Sequence, residues 1–109
     1  MNIFKNISLA SPVELKKLID YRHERIISLS IHSSDHLDFV IYAMDRHEII
    51  SEETTPGSEY ISILEGELRV QIEEKTFLLA EGQSIIIPPL QSHSLEALTP
   101  CKMVQLSVN

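Results

Sequence analysis

From Arg25 onward the apolar positions follow a period of two or gather into short apolar runs. This pattern predicts β-strands near 26–31, 37–44, 48–51, 60–64, 67–72, 75–79, 83–87, 93–97 and 102–108. The separators are turn formers, among them "SSD", "DRH", "TTPG", "EG", "PP" and "TP". Many short strands at even spacing imply a sandwich or barrel. "ELRVQIEEKTFLL" reads as a tight hairpin turning at Glu73-Glu74. Ahead of the strands, "SPVELKKLID" carries a helix signal over 12–20. Ser11 suits the N-cap, Pro12 the first helical position, and Glu14 completes a capping box. Val13, Leu15, Leu18 and Ile19 form its apolar stripe.

"LDFVIYAM" has a further property. Phe39, Ile41 and Ala43 share one face, and Val40, Tyr42 and Met44 share the other. A strand apolar on both faces must be covered on both. The second cover is either the N-terminal helix or another subunit, and a homodimer is expected.

Composition narrows the class. At 109 residues the chain is expected to be one domain, with an N-terminal helical segment over 1–25 and a β-barrel over 26–108. Apolar residues make up 43% and charged residues 23%, as in ordinary globular proteins. No apolar run is long enough to span a membrane, and the N-terminus lacks the apolar core of a signal peptide. A net charge of −7 with scattered Lys and Arg argues against nucleic acid as a partner. Cys101 is the only cysteine, which excludes an intrachain disulfide and suits a cytoplasmic location.

Two spacings carry a family resemblance. Six residues separate Glu59 from Gly66 in "EYISILEG". Five separate Gly82 from Pro88, Leu90 stands two positions on, and His93 follows in "GQSIIIPPLQSH". Together they resemble the two motifs of the cupin superfamily, specifically the small single-domain cupins. The resemblance covers roughly 26–108. It implies an all-β double-stranded β-helix, the jelly-roll barrel of that family, with one short N-terminal helix. The departures are informative. Where the motifs have glycine, this chain has His47 and Leu90, and Ala97 replaces the closing Asn. The two histidine positions of the first motif become Glu53 and Thr55, or Glu52 and Thr54 with one more residue before Glu59. The first spacing is preferred because Glu53 stands directly before "TTPG".

The resemblance leaves Glu53, Glu59 and His93 as metal-ligand candidates. Two carboxylates and one imidazole favour a harder divalent ion, manganese or iron(II), over copper or nickel. Zinc and nickel stay among the ions considered. Glu59, Ile61 and Ile63 share a strand face, and His93 shares one with Leu95. With Thr55 they outline a pocket for a small-molecule ligand. Cys101 and the remaining histidines read as structural or surface residues. The reading is a small-molecule-binding cupin barrel without an efficient metal site. The alternative is a metal-dependent oxygenase or isomerase acting on a small polar or aromatic compound, and the sequence leaves open whether the chain is an enzyme.

Overall fold

The structure is a computed structural model that describes residues 2–109. Among these residues nine strands follow one another: β1 (Ile26–Ser33), β2 (Leu37–Met44), β3 (Ile49–Glu53), β4 (Ser58–Glu65), β5 (Glu67–Ile72), β6 (Lys75–Ala80), β7 (Ser84–Ile87), β8 (His93–Ala97) and β9 (Cys101–Val108). They pair antiparallel in two sheets, A in the order β1-β2-β9-β4-β7 and B in the order β3-β8-β5-β6. The all-β jelly-roll expectation is met. Among the described residues no helix is long and apolar enough to cross a membrane.

The core between the sheets follows from strand parity. Ile61, Ile63, Ile87 and Met103 of sheet A face Leu68, Val70, Leu79 and Leu95 of sheet B, and all are buried. Removing that much apolar surface from water is the main drive for the two sheets to close. The turn between β4 and β5 depends on Gly66. Its φ is +84°, and a Cβ there would stand 2.1 Å from the Pro100 carbonyl oxygen. No side chain fits that approach.

The two-sided strand β2 is satisfied within the chain. Tyr42 and Met44 face the inter-sheet core. Phe39, Ile41 and Ala43 face outward, against Ile7, Leu15, Leu18, Ile19 and Tyr21 of the N-terminal segment. The expected helix is reduced to one 3-10 turn, Leu15–Lys17. Ser11 caps nothing there. The residue at the N-cap is Glu14, extended at φ −98° and ψ 113°, without a side-chain cap bond. So short a stretch has little helical stability of its own. A mostly extended path lets its apolar side chains spread over the flat sheet.

Polar contacts pin this segment down. The buried Lys102 ammonium donates to the Lys16 carbonyl at 2.7 Å and lies 5.0 Å from the Tyr21 ring centroid. Tyr21 donates its hydroxyl hydrogen to Glu65. Burial, and then that bond, push the Tyr21 phenol upward from its ordinary value. Beneath them the fully buried Cys101 thiol is pushed from 9.0 to about 12, first by burial and then by the Glu65 charge.

An acid held neutral by the fold stabilises it fully below its unfolded pKa, and that stability is lost as the pH rises toward the folded value. Stability should therefore decline between about pH 9 and about 12. Denaturant melts across this range check it. Cys101→Ala is expected to be less stable at neutral pH and to show a shallower alkaline decline.

Candidate metal centre

One end of the sandwich is polar inside. Strand register explains why, because residues paired across neighbouring strands lie in one row on the same face. On sheet A the row runs Ser33, Asp38, Ser107, Glu59, Ile87. On sheet B it runs Glu53, His93, Ile72, Lys75. These rows bring Glu53, Glu59 and His93 together, with one ligand atom from each lying within 4.8 Å of the others.

The middle of the cluster is dry. Glu59 is 2% exposed and His93 3%, whereas Glu53 is exposed. Glu59 comes from β4 and His93 from β8, both regular strands. Glu53 reaches them through a register irregularity between Ile50 and Glu53. The bulge also sets the phase. Glu53 turns to the cluster, while Glu52 accepts a hydrogen bond from Ser92 at 2.7 Å. Of the two motif spacings, the geometry matches the one that puts Glu53 in the first position.

Hydrogen bonding defines the chemistry of the pair. His93 Nδ1 lies 3.1 Å from the Gln91 carbonyl oxygen. A carbonyl only accepts, so Nδ1 carries the hydrogen. In the neutral ring Nε2 then presents a lone pair, 3.0 Å from Glu59 Oε2. Those two atoms are within ion-pair distance, yet Oε2 has no hydrogen-bond donor. The distance alone does not make the contact favourable, because two lone pairs facing each other in a dry site repel. A proton or a metal ion between them reverses the sign. Glu59 Oε1 has Ser107 Oγ at 3.4 Å, a weak donor. The donor set and the orphaned buried oxygen thus fit a divalent cation.

The other expected pocket residues lie differently. Thr55 turns its hydroxyl to the Gly57 carbonyl at 3.1 Å, inside the "TTPG" turn, and adds nothing to the cluster. Ile61, Ile63 and Leu95 are on the same inward face but fully packed into the core beneath it. An open cleft of about 650 Å³ lies instead in the seam between β6 and β7, the unpaired edges of the two sheets. Ile72, Phe77, Ile85 and Pro88 line it, with Lys75 and Gln91 at its rim. It abuts the cluster, since Ile72 pairs with His93 and Gln91 accepts the imidazole hydrogen.

Asp38 and Ser107, in the row of Glu59, escaped the sequence reading, which took Tyr42 only as part of an apolar strand face. Asp38 and Tyr42 share the parity of Met44, which faces inward, and that alternation was the available signal. The Tyr42 phenol is raised, first by burial and then by the charges of Glu53, Glu59 and Asp38. It therefore stands in the field of all three carboxylates as a neutral hydroxyl.

The fold and this cluster define a small β-barrel with a mouth able to hold a cation. Residues 40–109, more than half of the chain, match the family model described as "Cupin domain". The chain belongs to the cupin family. Its fold is similar to a conserved protein of unknown function from Streptococcus pyogenes, with a TM-score of 0.97 and 25% identity, covering 100% of this chain and 96% of that one. It is also similar to a cupin superfamily protein from Desulfitobacterium hafniense, with a TM-score of 0.92 and 24% identity, covering 96% of each chain. A salicylate 1,2-dioxygenase from Pseudaminobacter salicylatoxidans shares the fold at a TM-score of 0.69 and 16% identity, over 76% of this chain and 26% of that one. No curated protein matches.

The lone-pair opposition gives a direct test. Glu59→Gln supplies an amide hydrogen to His93 Nε2 and removes the buried charge. In metal-free protein it should raise stability by about 1–2 kcal/mol in denaturant melts. A loss of stability would show that a shared proton already bridges the wild-type pair.

Proposed function

We propose that this protein is a small-molecule-binding cupin whose barrel mouth holds a divalent cation on Glu53, Glu59 and His93. The observation that carries the reading is the orphaned Glu59 oxygen, 98% buried with its residue and aimed at a lone pair of His93. Without a proton or a cation between them that opposition is unrelieved. Two carboxylates and one imidazole favour manganese, iron(II) or zinc over softer ions. Such an ion, when bound, supplies Lewis acidity to a ligand at its open positions. The chain's own residues do the rest. Gln91 fixes the imidazole orientation through Nδ1, Ser107 steadies the Glu59 carboxylate, and the core beneath excludes water. Glu53, on the exposed side, is the ligand most easily displaced. The apolar seam cleft beside His93 suits the body of a small organic molecule.

The same geometry leaves room for a metal-dependent enzyme of this family, the second reading. It is favoured by the small number of protein ligands, because three donors leave positions free for substrate.

Calorimetric titration of metal-free protein with manganese and zinc tests the cation site. Glu59→Gln and His93→Ala are expected to lower affinity by about a hundredfold, as loss of a buried ligand does. Glu53→Gln should cost less, about tenfold. Equal effects of all three, or no binding to wild type, would overturn the assignment.

We also propose a homodimer. Ile86 and Val108 on the outward face of sheet A are 64% and 53% exposed, and Ile3 and Leu9 of the N-terminal segment are 55% and 57% exposed. Exposed apolar side chains on one face are the usual material of a two-fold interface. Light scattering at tens of micromolar is expected to give twice the chain mass, and a monomer there excludes the dimer.

A further inference from the structure

The seam cleft has a charged end that the cation site does not use. The hairpin from β5 to β6 sets it up. Only Glu73 and Glu74 lie between the two strands, so Ile72 pairs with Lys75 across the turn. Ile72 pairs with His93 on its other side. Paired residues leave a sheet on the same face, and Ile72 is packed in the inter-sheet core. Lys75 therefore leaves β6 on the inner face, in the row of His93, and lines the cleft. Two strand spacings separate the backbones of Lys75 and His93, about 10 Å. Among the described residues the Lys75 ammonium makes no ion pair. The nearest acids along the chain do not take it up. The Glu73 carboxylate accepts from the Ser92 amide at 3.1 Å, and Glu74 sits in the turn. Lys102 and Arg69 are committed elsewhere, to the Lys16 carbonyl and to Glu96. The remaining wall of the 650 Å³ cleft is mainly apolar: Ile72, Phe77, Ile85, Ile86 and Pro88. A charge beside such a wall is screened less than one standing free in water.

We propose that Lys75 determines the specificity of the seam cleft, and that the molecule the cleft takes is a small organic acid. Its apolar body lies between β6 and β7, and its carboxylate accepts hydrogen bonds from the Lys75 ammonium. The inference rests on the small-molecule reading above and extends it to the ligand's charge and orientation. With the carboxylate on Lys75, the other end of the body points along the row toward His93 and the cation cluster. Turned round, the carboxylate faces Glu53 and Glu59 and needs a bound cation to be tolerated. An amine of the same shape brings its own positive charge to Lys75, and like charges in a partly dried cleft repel.

The test uses 3-phenylpropionate, 3-phenylpropanol and 3-phenylpropylamine, one apolar body with three end groups. Their binding to the full chain is followed by ligand-observed NMR, with metal-free and with zinc-loaded protein. In metal-free protein the carboxylate is expected to bind about fivefold tighter than the alcohol and about tenfold tighter than the amine, as a partly exposed ion pair allows. Lys75→Met keeps the apolar stem and should bring the carboxylate to within about twofold of the alcohol. Lys17→Met removes the same charge from the N-terminal segment, where Lys17 pairs with Glu14, and should leave the preference in place. Phe77→Ala should weaken all three probes alike, by about threefold to tenfold, which locates them in the cleft. Equal binding of the three probes, or a preference untouched by Lys75→Met, overturns the proposal and leaves the small-molecule reading standing. If none of the three binds, both fall. If zinc does not bind, the cation site alone fails, and the metal-free series still decides the role of Lys75.

Discussion

Sheet A has two apolar faces, and the architecture follows from the need to cover both. Sheet B covers the inner face and forms the core. The N-terminal segment covers the outer face, where Ile41, Ala43 and Val104 are buried. The second cover is the more demanding one. It is made by chain with almost no regular structure, so its backbone needs partners outside secondary structure. Lys102 supplies one by reaching from the outer face of β9 to the Lys16 carbonyl. The Lys5 amide supplies another by donating to the Ile31 carbonyl. A lysine in an otherwise apolar row of β9 is thus a consequence of how the outer face is closed.

The same rigidity sets up the site. Regular strands fix Glu59 and His93 across the inter-sheet gap, and neither can move away from the other without opening the core. A buried carboxylate oxygen held 3.0 Å from an imidazole nitrogen needs a proton or a cation between them to be favourable. Glu53, on a bulged and exposed strand end, is free of that constraint.

Much of this was legible in the residues. All nine strands follow from alternation and turn formers, and β2, β5 and β8 have the bounds expected of them. Period-two patterns are strong where one face is buried. The helix was misjudged in length because capping residues describe what a chain does in isolation, whereas here the sheet surface dictates the path. Glu53, Glu59 and His93 were found through motif spacing. Asp38 and Ser107 were not, since their relevance lies in pairing between strands distant in sequence. Thr55 was counted as a pocket residue because spacing alone does not show that its hydroxyl closes a turn. Ile61, Ile63 and Leu95 were placed on the correct face, but parity cannot say how deep a face is packed.

His47 and Leu90 occupy the positions where the family's motifs have glycine, and their φ angles are 70° and 65°. Side chains rarely adopt that region, which costs roughly 1–2 kcal/mol per residue. The backbone turns left-handed at both positions although neither carries a glycine. What the motif records as glycine is therefore a requirement on a torsion angle, and the letter is only its commonest solution. Patterns written in residue names stop at such positions, while patterns written in backbone angles pass through them.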